Sequence, residues 1–233
     1  TAVAESLRQF ADILEKEDDF SAGVDKLLRN TLKKHARIIF NDDNYSDEWV
    51  KEAKRRGLLN LASTPEALPY FIADKNIKLF ETHGILTRDE VVSRYEIMLE
   101  NYSKVINIEA LTMLEMARQD IIPAVCEYIK LLSDETAAKK LVCASANCSM
   151  EENLISALSD KLSALFENLE ELDKEVHTAH NMSGAQKAAE YYHDTVLARM
   201  EKVRGIADYM EVYTAKEYWP FPTYGDLLFS IQE

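Results

Sequence analysis

Apolar residues recur along most of the chain at three- and four-residue steps, the pattern of helices that each bury one face. Val3, Leu7, Phe10, Ala11 and Leu14 fall at that spacing and predict an amphipathic helix over residues 2–17. Asp18 and Asp19 interrupt it, and Ser21 is placed to cap a second helix carrying Val24, Leu27, Leu28 and Leu32. Residues 37–40 form a short apolar stretch open to an extended conformation, and residues 41–45 read as a polar turn. Ser46 starts a further short helix that ends before Gly57. Thr64-Pro65 is a helix start, because proline in the first turn sacrifices no intrahelical hydrogen bond. A break is expected at Pro69, with Phe71, Ile72, Ile77, Leu79 and Phe80 carried by a helix that stops at Gly84.

Thr87 and Glu90 have capping-box spacing, and the helical pattern then continues to about Leu132. It predicts one very long helix, or two joined at Pro123. Tyr95, Leu99, Tyr102, Ile106, Leu111, Leu114 and Ile121 put apolar groups on more than one side, which suggests a central helix held by several others. Ser149 and Glu152 have a second capping-box spacing. Beyond them Ile155, Leu158, Leu162, Leu165, Leu169, Leu172 and Val176 form a seam. Ala189, Tyr192, Val196, Met200, Val203, Ala207 and Met210 make a looser companion stripe, and residues 180–184 between them have the composition of a connection. A long antiparallel hairpin over residues 149–214 follows, each arm about 45 Å at about 1.5 Å per residue. The aromatic tail, residues 218–229, contains two prolines that end the helix; its rings are expected to dock on the bundle.

The composition agrees with this pattern. Of 233 residues only 6 are glycine and 5 proline, too few for turn-rich all-β architectures or glycine-lined phosphate loops, while 47% are apolar. The expected fold is all-α: an elongated helical bundle with a long antiparallel helical hairpin and a short docked C-terminal tail. A net charge of -14 opposes general binding to nucleic acid or anionic membranes. Residues 51–56, KEAKRR, are the strongest basic patch and are read as helix electrostatics or an inter-domain contact. Cys126, Cys143 and Cys148 neither complete a disulfide framework nor finish a metal site. No run of about 20 apolar residues supports a membrane span. The chain begins Thr-Ala-Val-Ala, with no signal-like start, so it is expected to be cytoplasmic and either processed or cut from a larger protein.

Candidate chemistry is sparse. His177 and His180 share a helical face by spacing, and Glu190 precedes His193 by the three-residue interval used in carboxylate-bridged metal bundles. No second Glu-x-x-His accompanies it, so surface or capping roles are the simpler reading. Glu96, Glu100 and Glu109, with Arg94, lie in an apolar helix and suggest either a buried polar network or interhelical ion pairs. Glu151-Glu152 and Glu170-Glu171 read as solvated helix faces, and Asn101 and Asn107 as helix-contact anchors. No nucleophile elbow, phosphate loop or zinc-enzyme signature is present.

Several ordered motifs closely resemble type III glutamine synthetase. They are residues 35–40; Tyr45-Ser46-Asp47-Glu48-Trp49; Arg56-Gly57-Leu58-Leu59-Asn60-Leu61; and Ala67-Leu68-Pro69. Ser93-Arg94-Tyr95-Glu96-Ile97, Leu99-Glu100-Asn101-Tyr102 and residues 106–113 continue the match, and Trp219-Pro220-Phe221-Pro222 through Phe229 resembles the family's closing segment. The resemblance implies a large cytosolic enzyme of double hexameric rings, using ATP and divalent magnesium or manganese to activate glutamate as a γ-glutamyl phosphate that ammonia attacks. It implies that residues 1–62 close the catalytic domain and that residues 63–233 are a C-terminal helical extension. The catalytic portion would precede this chain in the same polypeptide. No catalytic, cofactor-binding or metal-binding residue is therefore assigned, and no ligase activity is expected of this chain alone. A structural or assembly role in a homo-oligomer is expected, with Tyr95, Leu99, Tyr102, Leu158, Leu162, Leu165 and Leu169 serving packing. An independent helical interaction module, or less simply a metal-binding helical enzyme, is the alternative.

Overall fold

A computed structural model describes residues 1–222 and 224–229, Tyr224 in its backbone alone; Thr223 of the tail motif and residues 230–233 lie outside the described residues. Every regular element among the described residues is helical. The chain divides into two compact units, Thr1–Leu99 and Glu100–Glu233.

The first unit begins with α1 (Ala2–Leu14) and α2 (Phe20–Lys34). Asp19, not Ser21, caps α2: its carboxylate accepts from the Ala22 N–H at 3.1 Å, and Ser21 falls inside the helix. Both residues can cap, and the earlier one gains an extra turn. Gly23 is buried at the α1–α2 turn, where a Cβ would lie 3.0 Å from the Glu17 side chain. A short 3-10 turn, Ala36–Ile38, occupies part of the stretch expected to be extended. Then follow α3 (Asp47–Arg55), capped by Ser46, and α4 (Thr64–Phe71), capped by a Ser63/Glu66 capping box.

The expected break at Pro69 is displaced. Helix α4 runs through Pro69 to Phe71, and α5 (Asp74–Thr82) starts afresh, so Phe71 belongs to the earlier helix. The carbonyl that Pro69 cannot reach belongs to Pro65 in the first turn, so its loss is small in so short a helix. At the break the Asn76 amide donates to the Tyr70 carbonyl at 2.5 Å. Gly84, at φ 60°, ends the segment as expected. The first unit's core is small: Leu68, Ile77, Val91 and Leu99 are buried, with Phe71 and Phe80 in ring contact at 5.6 Å.

Helix α6 (Arg88–Met116) starts at the expected capping box, Glu90 Oε2 accepting from Thr87 N at 2.7 Å. It passes into the second unit and continues without a break through a π turn, Ala117–Ile121, into α7 (Ile122–Val142). Pro123 explains the turn. Its ring would press on the carbonyl four residues back and it has no N–H to give. Widening the backbone by one residue, so that Ile122 N–H reaches the Ala117 carbonyl, relieves this without stopping the helix.

The hairpin forms as expected. Its first arm is α8 (Ser149–His180). The second is α9 (Ala185–Tyr191), a π turn at Tyr192–Val196, and α10 (Leu197–Tyr213). Gly184, at φ 94°, sits in the connection, a conformation costly for a residue with a Cβ. Ser149 is not the cap of α8. The helix starts from Cys148, and Asn147 Oδ1 accepts from the Ser149 N–H at 3.0 Å. Leu158, Leu165, Leu169 and Leu172 are fully buried against Val196, Val203 and Met210 of the second arm and Ala110, Leu114, Ala117 and Val125 of the long helix. That helix is not buried on several sides: Val105, Ile108 and Leu111 face solvent, so it lies beside the hairpin along one stripe.

The tail docks on this bundle through its aromatic half. Trp219 and Phe221 pack on the core and on each other at 6.3 Å, and Tyr218 meets Tyr128 at 5.5 Å. In α11 (Tyr224–Phe229), however, Leu227, Leu228 and Phe229 are exposed. The seam can be tested directly. Leu169→Ala is expected to cost about 2–5 kcal/mol in denaturant unfolding followed by helical circular dichroism, whereas the neighbouring exposed Phe166→Ala should change stability by about 0.5 kcal/mol or less.

Candidate functional site

The histidines and carboxylates singled out by spacing do not converge. His177 is exposed and is accompanied by Asn181, whose amide donates to the His177 carbonyl at 2.8 Å. His180 is exposed at the end of α8. Glu190 accepts from Gln186 at 2.7 Å, while His193 Nδ1 lies 2.7 Å from Asp194 Oδ1, so the Glu-x-x-His pair is satisfied locally instead of pointing to a common centre. Among the described residues, no group of three or more His, Cys, Asp or Glu could hold a metal ion. The described side chains therefore do not fit a catalytic divalent metal.

The apolar setting of Glu96, Glu100, Glu109 and Arg94 is misleading. All four are exposed, because they occupy the solvent side of a helix that buries one stripe only. Of the two asparagines, Asn107 does bridge helices, accepting from the Tyr192 hydroxyl at 3.0 Å; Asn101 is exposed. Burial pushes the Tyr192 phenol upward, and that of Tyr102 likewise with a lesser contribution from Asp194. Cys148 is buried, Cys126 and Cys143 are exposed, and all three are free.

The basic patch folds onto itself. Glu52 receives Arg55 at 2.5 Å and Arg56 at 2.6 Å. Arg56 also donates to the carbonyls of Arg37 at 3.2 Å and Ile39 at 2.8 Å. Its guanidinium lies 5.8 Å and 5.6 Å from the Phe40 and Trp49 rings, which stack at 4.4 Å. This is a clasp fastening the segment before α3 to the helix itself, the electrostatic role expected of the patch.

Four features escaped the periodicity. Arg199 clamps the hairpin, 2.8 Å from Glu175 and 3.2 Å from Asn168 Oδ1. Arg118, at the π turn, reaches Glu170 at 3.0 Å and Asp173 at 2.8 Å. Lys139 and Lys140 of α7 pair with Glu151 and Glu152 of α8, so these glutamates are paired, not merely solvated. Finally, a groove of about 810 Å³ lies within the second unit, between α6 with its π turn, α10 and the tail. Met113, Met116, Trp219 and Phe221 give it an apolar wall, and Glu109, Asp208 and Glu211 stand among its lining residues. Its parts lie about a hundred residues apart, so only their spacing on separate helices could have hinted at it.

Glu52 yields a pH prediction. Hydrogen bonds from Arg55 and then Arg56 hold its carboxyl down from the usual 4.5 to about 2. A depressed folded-state value means the contribution to stability is present above the ordinary carboxylate range and is lost as pH falls towards 2. Carbon-detected titration of the Glu52 carboxyl should give a midpoint near 2; a midpoint near 4.5 would mean that the clasp is open in solution.

The glutamine synthetase C-terminal domain family matches residues 23–140, spanning the clasp, α4 to α6 and nearly all of α7. The chain is 42% identical over 215 residues to a glutamine synthetase of Butyrivibrio fibrisolvens, covering 92% of this chain and 31% of that protein. It is 32% identical over 236 residues to the type-3 glutamine synthetase of Dictyostelium discoideum, covering 98% and 32%. To a glutamine synthetase of Bacteroides fragilis it is 27% identical over 237 residues, again covering 98% and 32%. The chain thus spans about a third of the length of the curated relatives it matches. With its helices, motifs and half its length in agreement, this chain belongs to the glutamine synthetase C-terminal domain family.

Proposed function

We propose that the chain is the structural and assembly part of a type III glutamine synthetase. The ATP- and divalent-metal-dependent joining of glutamate and ammonia takes place elsewhere in a longer, cytoplasmic, homo-oligomeric polypeptide. The observation that carries this reading is the uncovered apolar surface of the first unit. Val3 and Leu7 on α1, and Leu28 and Leu32 on α2, recur one helical turn apart and are exposed. Stripes of this kind are stable when packed against another surface. Residues 1–62 are the part whose motifs resemble the end of a catalytic domain, and the relatives are about three times as long as this chain. The catalytic body of the same polypeptide is the natural cover. Residues 63–233 then form the extension that braces it, and three unpaired thiols suit a reducing compartment.

This division of labour makes a measurable claim. The chain supplied with glutamate, ammonium, ATP and Mg²⁺ should form no glutamine, while a polypeptide of the relatives' length should form it. Substantial ATP-dependent synthesis by the chain alone would overturn the proposal. So would normal assembly and turnover by the longer polypeptide after these residues are deleted.

A further inference from the structure

The groove in the second unit has a shape and charge that select an occupant. On one side Ile108, Thr112 and Met116 follow each other every fourth residue, and on the other Met200, Arg204, Asp208 and Glu211 run along α10. At about 1.5 Å per residue these walls are about 12–16 Å long, two to three turns of a docked helix. Three methionines, Met113, Met116 and Met200, give the wall an adaptable surface, and Trp219 and Phe221 give it large flat ones. The charge on the rim is unbalanced. Arg204 is 3.5 Å from Asp208, which leaves Glu109 and Glu211 as carboxylates with no cation beside them among the described residues.

We propose that this groove docks a basic amphipathic helix of a separate protein, its apolar face on the methionine and aromatic wall and its lysines or arginines against Glu109 and Glu211. Complementary charge is what distinguishes this occupant. A second copy of the chain would bring the same negative rim. The copy's exposed segment Leu227, Leu228 and Phe229 lies in a helix that already gives Leu227 to its own groove and whose Asp226 is paired with Lys216, so it brings no free cation to the rim. Like charges would then oppose the contact.

The groove contains its own reporter. Trp219 lines it, and the chain's only other tryptophan, Trp49, sits in the α3 clasp. In a Trp49→Phe background, a leucine–lysine amphipathic peptide of about four helical turns should shift Trp219 emission and bind in the micromolar range. Raising salt to about 1 M, where charges are screened beyond about 3 Å, should weaken it strongly. Glu109→Lys with Glu211→Lys, both on exposed positions, should weaken binding about tenfold or more. Asp160→Lys with Glu167→Lys, the same charge change on exposed positions of α8 outside the groove, should weaken it less than about twofold.

Four outcomes overturn the proposal. One is a peptide of the same composition, scrambled so that lysine and leucine do not segregate, binding equally well. Another is equal loss in the two charge-reversed pairs, which would make the attraction general. The third is concentration-dependent dimerisation in sedimentation that Glu109→Lys with Glu211→Lys strengthens, which would give the groove to a second copy. The last is binding by the chain but not by a polypeptide of the relatives' length, which would give the groove to the rest of the same polypeptide.

Discussion

The leucine seam of α8 is the constraint around which the second unit is organised. A helix of 32 residues cannot leave such a stripe in water, and neither of its neighbours covers it alone. Leu158, Leu165, Leu169 and Leu172 are covered because the long helix lies along one side and the returning arm along another. Burying a leucine side chain fully contributes roughly 1.5–3 kcal/mol, and four of them form the larger share beside ion pairs that contribute about 0–1 kcal/mol each where exposed. Arg118, Arg199, Lys139 and Lys140 are therefore best understood as setting register and angle between helices that leucines hold together. The tail completes the enclosure with Trp219 and Phe221.

The first unit lacks a comparable seam. Its buried side chains are few and its organisation leans on local devices: the Asp19 cap, the Ser63 capping box and the Arg56 clasp between Phe40 and Trp49. Caps and clasps fix where helices start and how segments join, but they do not cover apolar faces. The second unit buries a continuous seam, whereas the first leaves the apolar stripes of α1 and α2 bare.

How much of this could be read from the residues depended on whether the determining interactions were local. The hairpin arms were legible because Leu158 to Val176 repeats every three or four residues whatever it packs against. Thr87 and Glu90 were legible because both halves of that box lie within one turn. The start of α2 was not, since Asp19 and Ser21 both qualify as caps and the choice depends on what precedes them. Glu96, Glu100 and Glu109 were misjudged because an apolar helix does not reveal which of its sides is covered. The groove and the Arg199 clamp were beyond reach: each joins helices whose mutual rotation is decided by the seam. Chemistry was a different matter, because the Glu190 and His193 interval was real but its partners, Gln186 and Asp194, stood next door.

The π turns impose a counting rule on the chain. Each accommodates one residue more than the regular spiral, and every side chain beyond it is turned by about 100° relative to an uninterrupted helix. Removing a single residue from Ala117–Ile121 would bring the Pro123 ring back against the carbonyl four residues earlier and swing Val125 away from the hairpin. The connection before Ser149, by contrast, can absorb a change in length without rotating anything it joins. Homologous chains should therefore vary in length at the loop between Val142 and Ser149 and keep a strict residue count through the π segments, even where the residues themselves change.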